Sequence, residues 1–531
     1  MTTGQAARHY RQRRWWPDQA LWDRYATVAA RSPQGLAVVD DRGATLTHAA
    51  LRAAAERVAA DLAGAGIAPG DLVLVVMPNR VEWQVVFAAL LRLDAVPMTV
   101  PVTTDAATLS YLCDLAGVAA LITATRSGSV ALADVVTEAA AGARRRPAVA
   151  VVDDPSAVRL QQVGQATRAQ DRRHQPIDGL AHVMTTSSTT GRPKAVMHSS
   201  NTLAALNIGF AERFGLGPDT PIFMASPLGH SVGAIHGARL SMHVGAPLVL
   251  QERWDPEHAL RLVATHGCRF TCAATPFLKD LIDAPAPAGE PKLASLRSFL
   301  CGGAAVPPLL IDQAGAEFPN TSVSVLWGMT EGGVTTCTAT STPEQRRTTA
   351  GCGLPGLELS AIDTDLRHLP AGESGELAMR GPGVFIGYLG HDDVFAESIT
   401  PDGFFRTGDL ARVDGDGYLR LTGRLKDLII RGGVNISPVV IEDVLAGHPQ
   451  VRRVAVVGEP DERLGERLCA VVVTQGGGDL ALDDLIRWSG DHGLVRRYWP
   501  ESLRIVDDMP TTAGGKIRKH QLRDTLFGER P

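Results

Sequence analysis

Thr185-Thr186-Ser187-Ser188-Thr189-Thr190-Gly191-Arg192-Pro193-Lys194 sets six consecutive hydroxyl side chains ahead of one glycine, one proline and one lysine. Hydroxyls and unpaired backbone N–H groups all donate to anionic oxygens, so such a run can wrap a polyphosphate. Gly191 allows the backbone to approach closely, and Lys194 adds a compact point charge. The spacing is not that of a Walker P-loop, so this is a phosphate loop of another kind. Taken by itself, the run also reads as a Ser/Thr-rich linker.

The segments around it alternate between two periods. Residues 46–66 and 81–94 carry helical apolar spacing. Leu72 to Val76, Val96 to Val100, and residues 119–123, 148–152, 246–250 and 322–326 are short apolar runs. Strands alternating with helices imply a parallel α/β sheet. Beyond residue 400 the texture changes to short hairpin-like pieces rich in glycine, aspartate and arginine, with Asp414-Gly-Asp-Gly as a turn between two strands. Helices over 438–447 and 481–492, and strands over Val454 to Val457 and Leu468 to Val473, suffice for a separate α+β domain of about a hundred residues. Its boundary is expected near Arg424–Asp427.

The chain has 531 residues, 45% hydrophobic and 21% charged, with a net charge of −5. This is the composition of an ordinary globular protein of more than one domain, with no bias toward nucleic acid or an anionic membrane. The N-terminus lacks an apolar signal core and no apolar stretch is long enough to span a bilayer, so a cytoplasmic enzyme is expected. Seven scattered cysteines without paired Cys-x-x-Cys motifs read as reduced thiols. Six lysines stand against forty-six arginines. A lysine in a glycine-bearing loop of such a chain suggests a need for a compact ammonium.

Four further segments carry chemistry. Leu326-Trp-Gly-Met-Thr-Glu-Gly-Gly follows an apolar strand, where ligands of α/β sheets collect. Trp327 offers a flat face and Glu331 a hard oxygen for magnesium, although a buried tryptophan beside a turn reads equally well. Phe405-Arg-Thr-Gly-Asp-Leu offers Asp409 as a bidentate acceptor for two ribose hydroxyls, or as a plain Asx turn. Leu421-Thr-Gly-Arg-Leu-Lys-Asp-Leu-Ile-Ile-Arg-Gly-Gly-Val-Asn-Ile-Ser-Pro is a basic bend at the domain boundary, or a solvated hairpin. Pro510-Thr-Thr-Ala-Gly-Gly-Lys-Ile-Arg-Lys puts Lys516 on a glycine loop, or in a basic tail.

In this order and spacing the segments closely resemble the acyl-adenylate-forming (AMP-binding) superfamily, nearest to acyl-CoA synthetases and aryl-acid CoA ligases, over residues 20–525. The resemblance implies a large N-terminal α/β domain (1–424) with parallel sheets and a β-barrel-like part, a hinge (425–427) and a small α+β C-terminal lid (428–531). It implies that Thr186, Ser187, Ser188, Thr189, Thr190, Gly191 and Lys194 hold the ATP phosphates. Thr330 and Glu331 would serve phosphate and Mg²⁺. Gly303, Ala304, Ala305 and Trp327 would surround adenine, while Asp409 and Arg424 hold the ribose. Lys516 would bridge the carboxylate and the α-phosphate, and Lys426 would be the hinge. His230 in Pro227-Leu-Gly-His-Ser matches the residue that gates the acid, with Ser231 and Gly302 beside it. Two departures stand in the phosphate loop, where Ser188 and Ala195 replace glycines; Trp327 stands where tyrosine is commoner.

The implied reaction is activation of a small-molecule carboxylic acid by ATP to an acyl-AMP with release of pyrophosphate, then transfer to coenzyme A. Two other acceptors stay open: a carrier-protein phosphopantetheine, with an acyl carrier protein as partner, or an amine acting on an activated group other than a carboxylate. A binding module that has lost catalysis is the reading from another class, and the presence of Lys516, Asp409 and Glu331 speaks against it. Gly229, Gly233, Cys301, Gly302, Gly332 and Gly333 are small, which is taken here as room for an aryl or cyclic acid, or else a medium chain. No acidic residue is placed to hold an α-ammonium. No nucleic-acid partner or membrane span is expected, and the protein is expected as a monomer or homodimer.

Overall fold

The computed structural model describes residues 4–154, 157–161, 177–186, 192–286, 291–303, 306–476, 479–511 and 516–528. Two large sheets form the body. In the first, eight strands run in the order Gly387–Tyr388, Ala195–Ser199, Leu180–Thr185, Val96–Thr99, Leu72–Val76, Ala120–Thr123, Ala148–Asp154 and Ala157–Gln161. Its middle is parallel and its two margins antiparallel. The second sheet has nine strands, with a parallel centre made by Leu36–Asp40, Leu248–Leu250, Ile222–Met224, Phe270–Ala274, Ser298–Gly302 and Ser322–Gly328. The strands expected from apolar runs all form. Leu72–Val76 is buried at every position, as continuous Val/Leu runs are when both faces of a sheet are covered.

The helix Val81–Arg92 is buried from Val81 through Leu90. It touches the Val96–Thr99 strand of one sheet and the Leu36–Asp40 strand of the other. A helix enclosed on all sides has no polar face to keep, which is why its sequence is apolar nearly all round. Trp83 stacks on Phe87 with ring centroids 5.0 Å apart. The helix Ser200–Phe214 starts from a reciprocal cap. Ser199 Oγ accepts from the Thr202 N–H, and Thr202 Oγ1 accepts from the Ser199 N–H. This cap joins the Ala195–Ser199 strand, which follows Lys194, rigidly to the helix behind it.

The expected barrel-like part is a four-stranded antiparallel sheet, Glu358–Ile362, Ser374–Arg380, Phe405–Val413 and Leu419–Arg424. Asp414-Gly-Asp-Gly closes its last hairpin, with Val413 opposite Leu419. The smaller C-terminal domain has its own five-stranded sheet, from Ile429–Arg431 to Ser502–Ile505, and its own core around Ile441, Leu445, Leu468 and Leu485. All seven cysteines are free thiols, and all but Cys352 are buried. Among the described residues no helix is long and apolar enough to cross a membrane.

Candidate active site

The two ends of the hydroxyl-rich run come together: the Thr186 N–H donates to the Lys194 carbonyl at 3.0 Å. Ser187, Ser188, Thr189, Thr190 and Gly191, between them, lie outside the described residues, as do Ala304 and Ala305. Ala195 pairs with Thr185 and its methyl is packed in the core, so alanine in place of the usual glycine fits here. Lys194 Nζ sits 4.8 Å from the centre of the Tyr388 ring. The Tyr388 hydroxyl donates to Glu331 Oε1 at 2.8 Å. Burial raises the Glu331 carboxyl above its ordinary range, while the Tyr388 bond and the charges of Lys194 and Arg424 pull it back down.

His198 donates from Nε2 to the Thr330 carbonyl at 2.7 Å, which places the proton on that nitrogen; burial holds its imidazole neutral, down to about 4. The Thr330 hydroxyl donates to Ser231 Oγ at 3.2 Å. This bond joins the Trp327–Gly333 segment to the loop carrying His230. Burial also lowers His230, whose Nδ1 accepts from the Val232 N–H at 3.3 Å.

Asp409 lies opposite Arg424 across the last hairpin, and its Oδ1 is 2.7 Å from Arg424 Nε. Its other oxygen accepts from Trp327 Nε1 at 2.8 Å. Trp327 and Asp409 are both buried, so the indole N–H orients the carboxylate. Lys516 reaches this group from the C-terminal domain. Burial, then the Arg424 charge, push it down to about 7, with Asp409 and Asp427 opposing. Lys426, in a 3₁₀ turn Leu425–Asp427, is lowered by burial and by Arg424. Lys194, Arg424, Lys426 and Lys516 thus gather against Glu331, Asp409 and Asp427, a surplus of cation suited to a polyphosphate.

Glu331 is the carboxylate that Tyr388 joins to Lys194. Among the described residues no group of three or more His, Cys, Asp or Glu side chains is placed to hold a metal. Glu331 fits Mg²⁺ as one ligand, with phosphate oxygens and water as the others.

The glycines expected to line the acid pocket lie against other parts of the chain. A methyl on Gly302 would stand 2.2 Å from the Leu326 carbonyl, on Gly229 2.1 Å from the Val100 carbonyl, and on Gly233 2.3 Å from the Pro227 carbonyl. Gly332 and Gly333 are crowded in the same way by the Gly383 carbonyl and Met379. At each of them the direction a side chain would take is filled by the protein's own backbone or side chains, which accounts for glycine there. Gly303, with φ +84, follows the strand Ser298–Gly302 in a conformation that suits glycine. Tyr388 and His198 escaped the sequence reading. Gly387-Tyr388 is a two-residue edge strand with no motif of its own, and His198 is a lone histidine between Ala-Val-Met and Ser-Ser-Asn; neither signals a role until the fold brings it to Glu331 or Thr330.

A large α/β body and a small C-terminal domain thus meet at one cluster of charged side chains. Residues 25–389 match the family model of AMP-binding enzymes, and 440–516 that of the AMP-binding enzyme C-terminal domain; the chain belongs to this family. It is 32% identical over 529 residues to the medium-chain fatty-acid–CoA ligase of Escherichia coli (strain K12), covering 98% of this chain and 92% of the relative. It is 31% identical to a salicylyl-CoA synthase / salicylate adenylyltransferase of a Streptomyces species, covering 99% and 97%. The ATP-bound crystal structure of MatB from Rhodopseudomonas palustris superposes with a TM-score of 0.82 at 27% identity, covering 95% and 99%.

Proposed function

We propose that the protein activates a small carboxylic acid with ATP and passes the acyl group to the thiol of coenzyme A. In the first half, a carboxylate oxygen forms a bond to the α-phosphorus as the bond to pyrophosphate breaks. Lys194 and Lys516 hold the phosphate and carboxylate charges together, so that positioning and electrostatics carry the rate. Asp409, oriented by Trp327 and Arg424, holds the ribose. Mg²⁺ beside Glu331 would screen the phosphate oxygens. In the second half, the sulfur attacks the acyl carbon and AMP leaves. We take residues 425–427 as the hinge between a body (1–424) and a lid (428–531), with Lys516 on the face used first. The acid is an aryl, cyclic or medium-chain one, supported by the family resemblance and the relatives rather than by the glycines. Reduced cysteines fit a cytoplasmic setting.

The observation that carries this reading is the convergence of Lys194, Glu331, Asp409 and Lys516, from four separate segments, on one cluster of charge. ATP–pyrophosphate exchange with a panel of acids tests it. Acid-dependent exchange is expected, followed by thioester formation on adding coenzyme A. Exchange with product only on a phosphopantetheinyl carrier protein, or only with an amine, moves the acceptor. No exchange with any acid refutes acid activation.

A further inference from the structure

Tyr388 is buried at the centre of the charged cluster, yet no step of the reaction uses it. Its ring faces Lys194, whose Nζ lies 4.8 Å from the ring centre, and its hydroxyl donates to Glu331 Oε1 at 2.8 Å. Among the described residues Lys194 and Glu331 form no direct ion pair, although the lysine's charge acts on the carboxyl. In a water-poor site an ammonium beside a carboxylate ordinarily closes on it, because little solvent screens their attraction. Here one aromatic side chain engages both groups instead.

The backbone around Tyr388 holds the same two segments. The Phe385 N–H donates to the Glu331 carbonyl at 2.9 Å, and the Leu389 N–H donates to the carbonyl of Ala195, next to Lys194, at 2.8 Å. Between these bonds Gly387 pairs with Met197 and Tyr388 with Val196. Residues 385–389 therefore join the end of the hydroxyl-rich run to the Trp327–Gly333 segment through main chain as well as side chain. The ring itself is packed in place. Its centre lies 4.9 Å from that of Phe385 and 6.4 Å from that of Phe395, and Trp327 belongs to the same core.

Arg192, two residues before Lys194, is seated in the same manner, with its guanidinium carbon 4.6 Å from the centre of the Tyr111 ring. An aromatic face attracts a cation through its quadrupole and does not neutralise it, so the charge stays available to an incoming anion. A hydroxyl donor likewise satisfies one oxygen of a carboxylate and leaves its charge in place.

We propose that Tyr388 is a positioning residue that holds Lys194 and Glu331 side by side but unpaired, keeping the ammonium for phosphate oxygens and the carboxylate for Mg²⁺. This rests on the reading that Lys194 and Glu331 serve those two partners. Removing the hydroxyl leaves a buried carboxylate short of a donor, and Lys194 is the flexible cation beside it. Each group then quenches the other before the nucleotide arrives.

The test is a double-mutant cycle on the full-length enzyme, Tyr388→Phe against Glu331→Gln. It is read by calorimetry with ATP in EDTA, with ATP at rising Mg²⁺, and with adenosine. With Glu331 present, Tyr388→Phe should weaken metal-free ATP by roughly five- to tenfold and raise the half-saturating Mg²⁺ by a similar factor. With Glu331→Gln already in place no carboxylate remains to capture Lys194, so the same change should alter metal-free ATP by less than about twofold. Adenosine, which lacks phosphates, should bind every variant alike. A crystal structure of Tyr388→Phe should show the Lys194 ammonium in direct contact with Glu331.

A tyrosine that only fills space lowers affinity by the same factor in both backgrounds, and that result overturns the proposal. So does a Tyr388→Phe structure in which Lys194 stays apart from Glu331. Lys194→Met separates these outcomes from failure of the underlying reading. If it leaves ATP affinity unchanged, Lys194 does not serve phosphate, and the proposal falls with that assignment. If it weakens ATP while the cycle is additive, the assignment stands and the role of Tyr388 alone falls. If Tyr388→Phe folds only together with Glu331→Gln, the coupling is read as the urea midpoint that the second change restores. If neither folds, Tyr388 is a structural residue and the proposal is wrong.

Discussion

Replacing Asp409 by asparagine keeps the shape of the side chain and removes one acceptor oxygen and the charge. The carboxylate is enclosed by two donors, Trp327 Nε1 at 2.8 Å and Arg424 Nε at 2.7 Å. The amide must turn its NH₂ toward one of them, so a donor faces a donor. Hydrogen bonds to a charged partner contribute ~1.5–3 kcal/mol each. Losing one ribose bond and weakening the other should cost ~2–4 kcal/mol of nucleotide affinity, about 30- to 1,000-fold. Facing the Trp327 N–H with an amide should also lower stability by ~1–3 kcal/mol, which urea unfolding reads separately. Calorimetry with ATP and 2′,3′-dideoxy-ATP on both proteins closes a double-mutant cycle. The wild type should discriminate strongly against the dideoxy nucleotide, and the variant hardly at all. A folded Asp409→Asn protein that still tells the two nucleotides apart as well as the wild type would refute the ribose assignment.

Lys516→Ala should abolish adenylation and leave thioester formation from supplied acyl-AMP largely intact; equal loss of both halves rules out a one-sided role. Because Lys516 sits near 7 in the closed arrangement and ordinarily at 10.5, protonation opposes closure. Closure of the ligand-free enzyme should therefore strengthen as pH rises from about 7 toward 10.5 and stay flat below 7, and small-angle scattering on wild type and Lys516→Met reads this directly. Lys426→Pro should stop thioester formation while sparing adenylation, since proline fixes the φ that a hinge must change; normal turnover places the hinge elsewhere. Ser231→Leu should shift acid selectivity toward smaller acids, whereas Ser231→Ala, which removes only the acceptor for Thr330, should not; matched size profiles for the two variants take this loop out of the pocket.

The motifs were legible because each is contiguous: Trp327 to Gly333, Phe405 to Leu410 and the bend before Lys426 need no knowledge of what lies across from them. So were the strands, since Leu72–Val76 is apolar at every position and its neighbours Val96–Thr99 and Ala120–Thr123 at all but their last. What escaped depends on crossings between distant segments. Tyr388 links Lys194 to Glu331 only because a two-residue strand pairs with Val196 and Met197. The glycines near His230 read as open space because a sequence does not show which backbone fills the place a side chain would take. Arg239 looks like one arginine among forty-six in the sequence, and only the fold shows it to be buried.

The Leu36–Asp40 strand has a consequence for biosynthesis. Its parallel partner is Leu248–Leu250, whereas the strands from Leu72 to Asp154 join the other sheet. The ribosome must therefore add about two hundred residues before that partner exists. At roughly 5–20 residues per second the wait is on the order of ten to forty seconds. Over that interval the hairpin of Leu36–Asp40 with Thr45–Thr47 presents an open edge of Leu-Ala-Val-Val, and the Val81–Arg92 helix lacks half of its enclosure. Nascent-chain crowding, a slow codon run before residue 248 or a shortage of holding chaperones should lower the yield of this protein more than that of one whose sheets close in chain order.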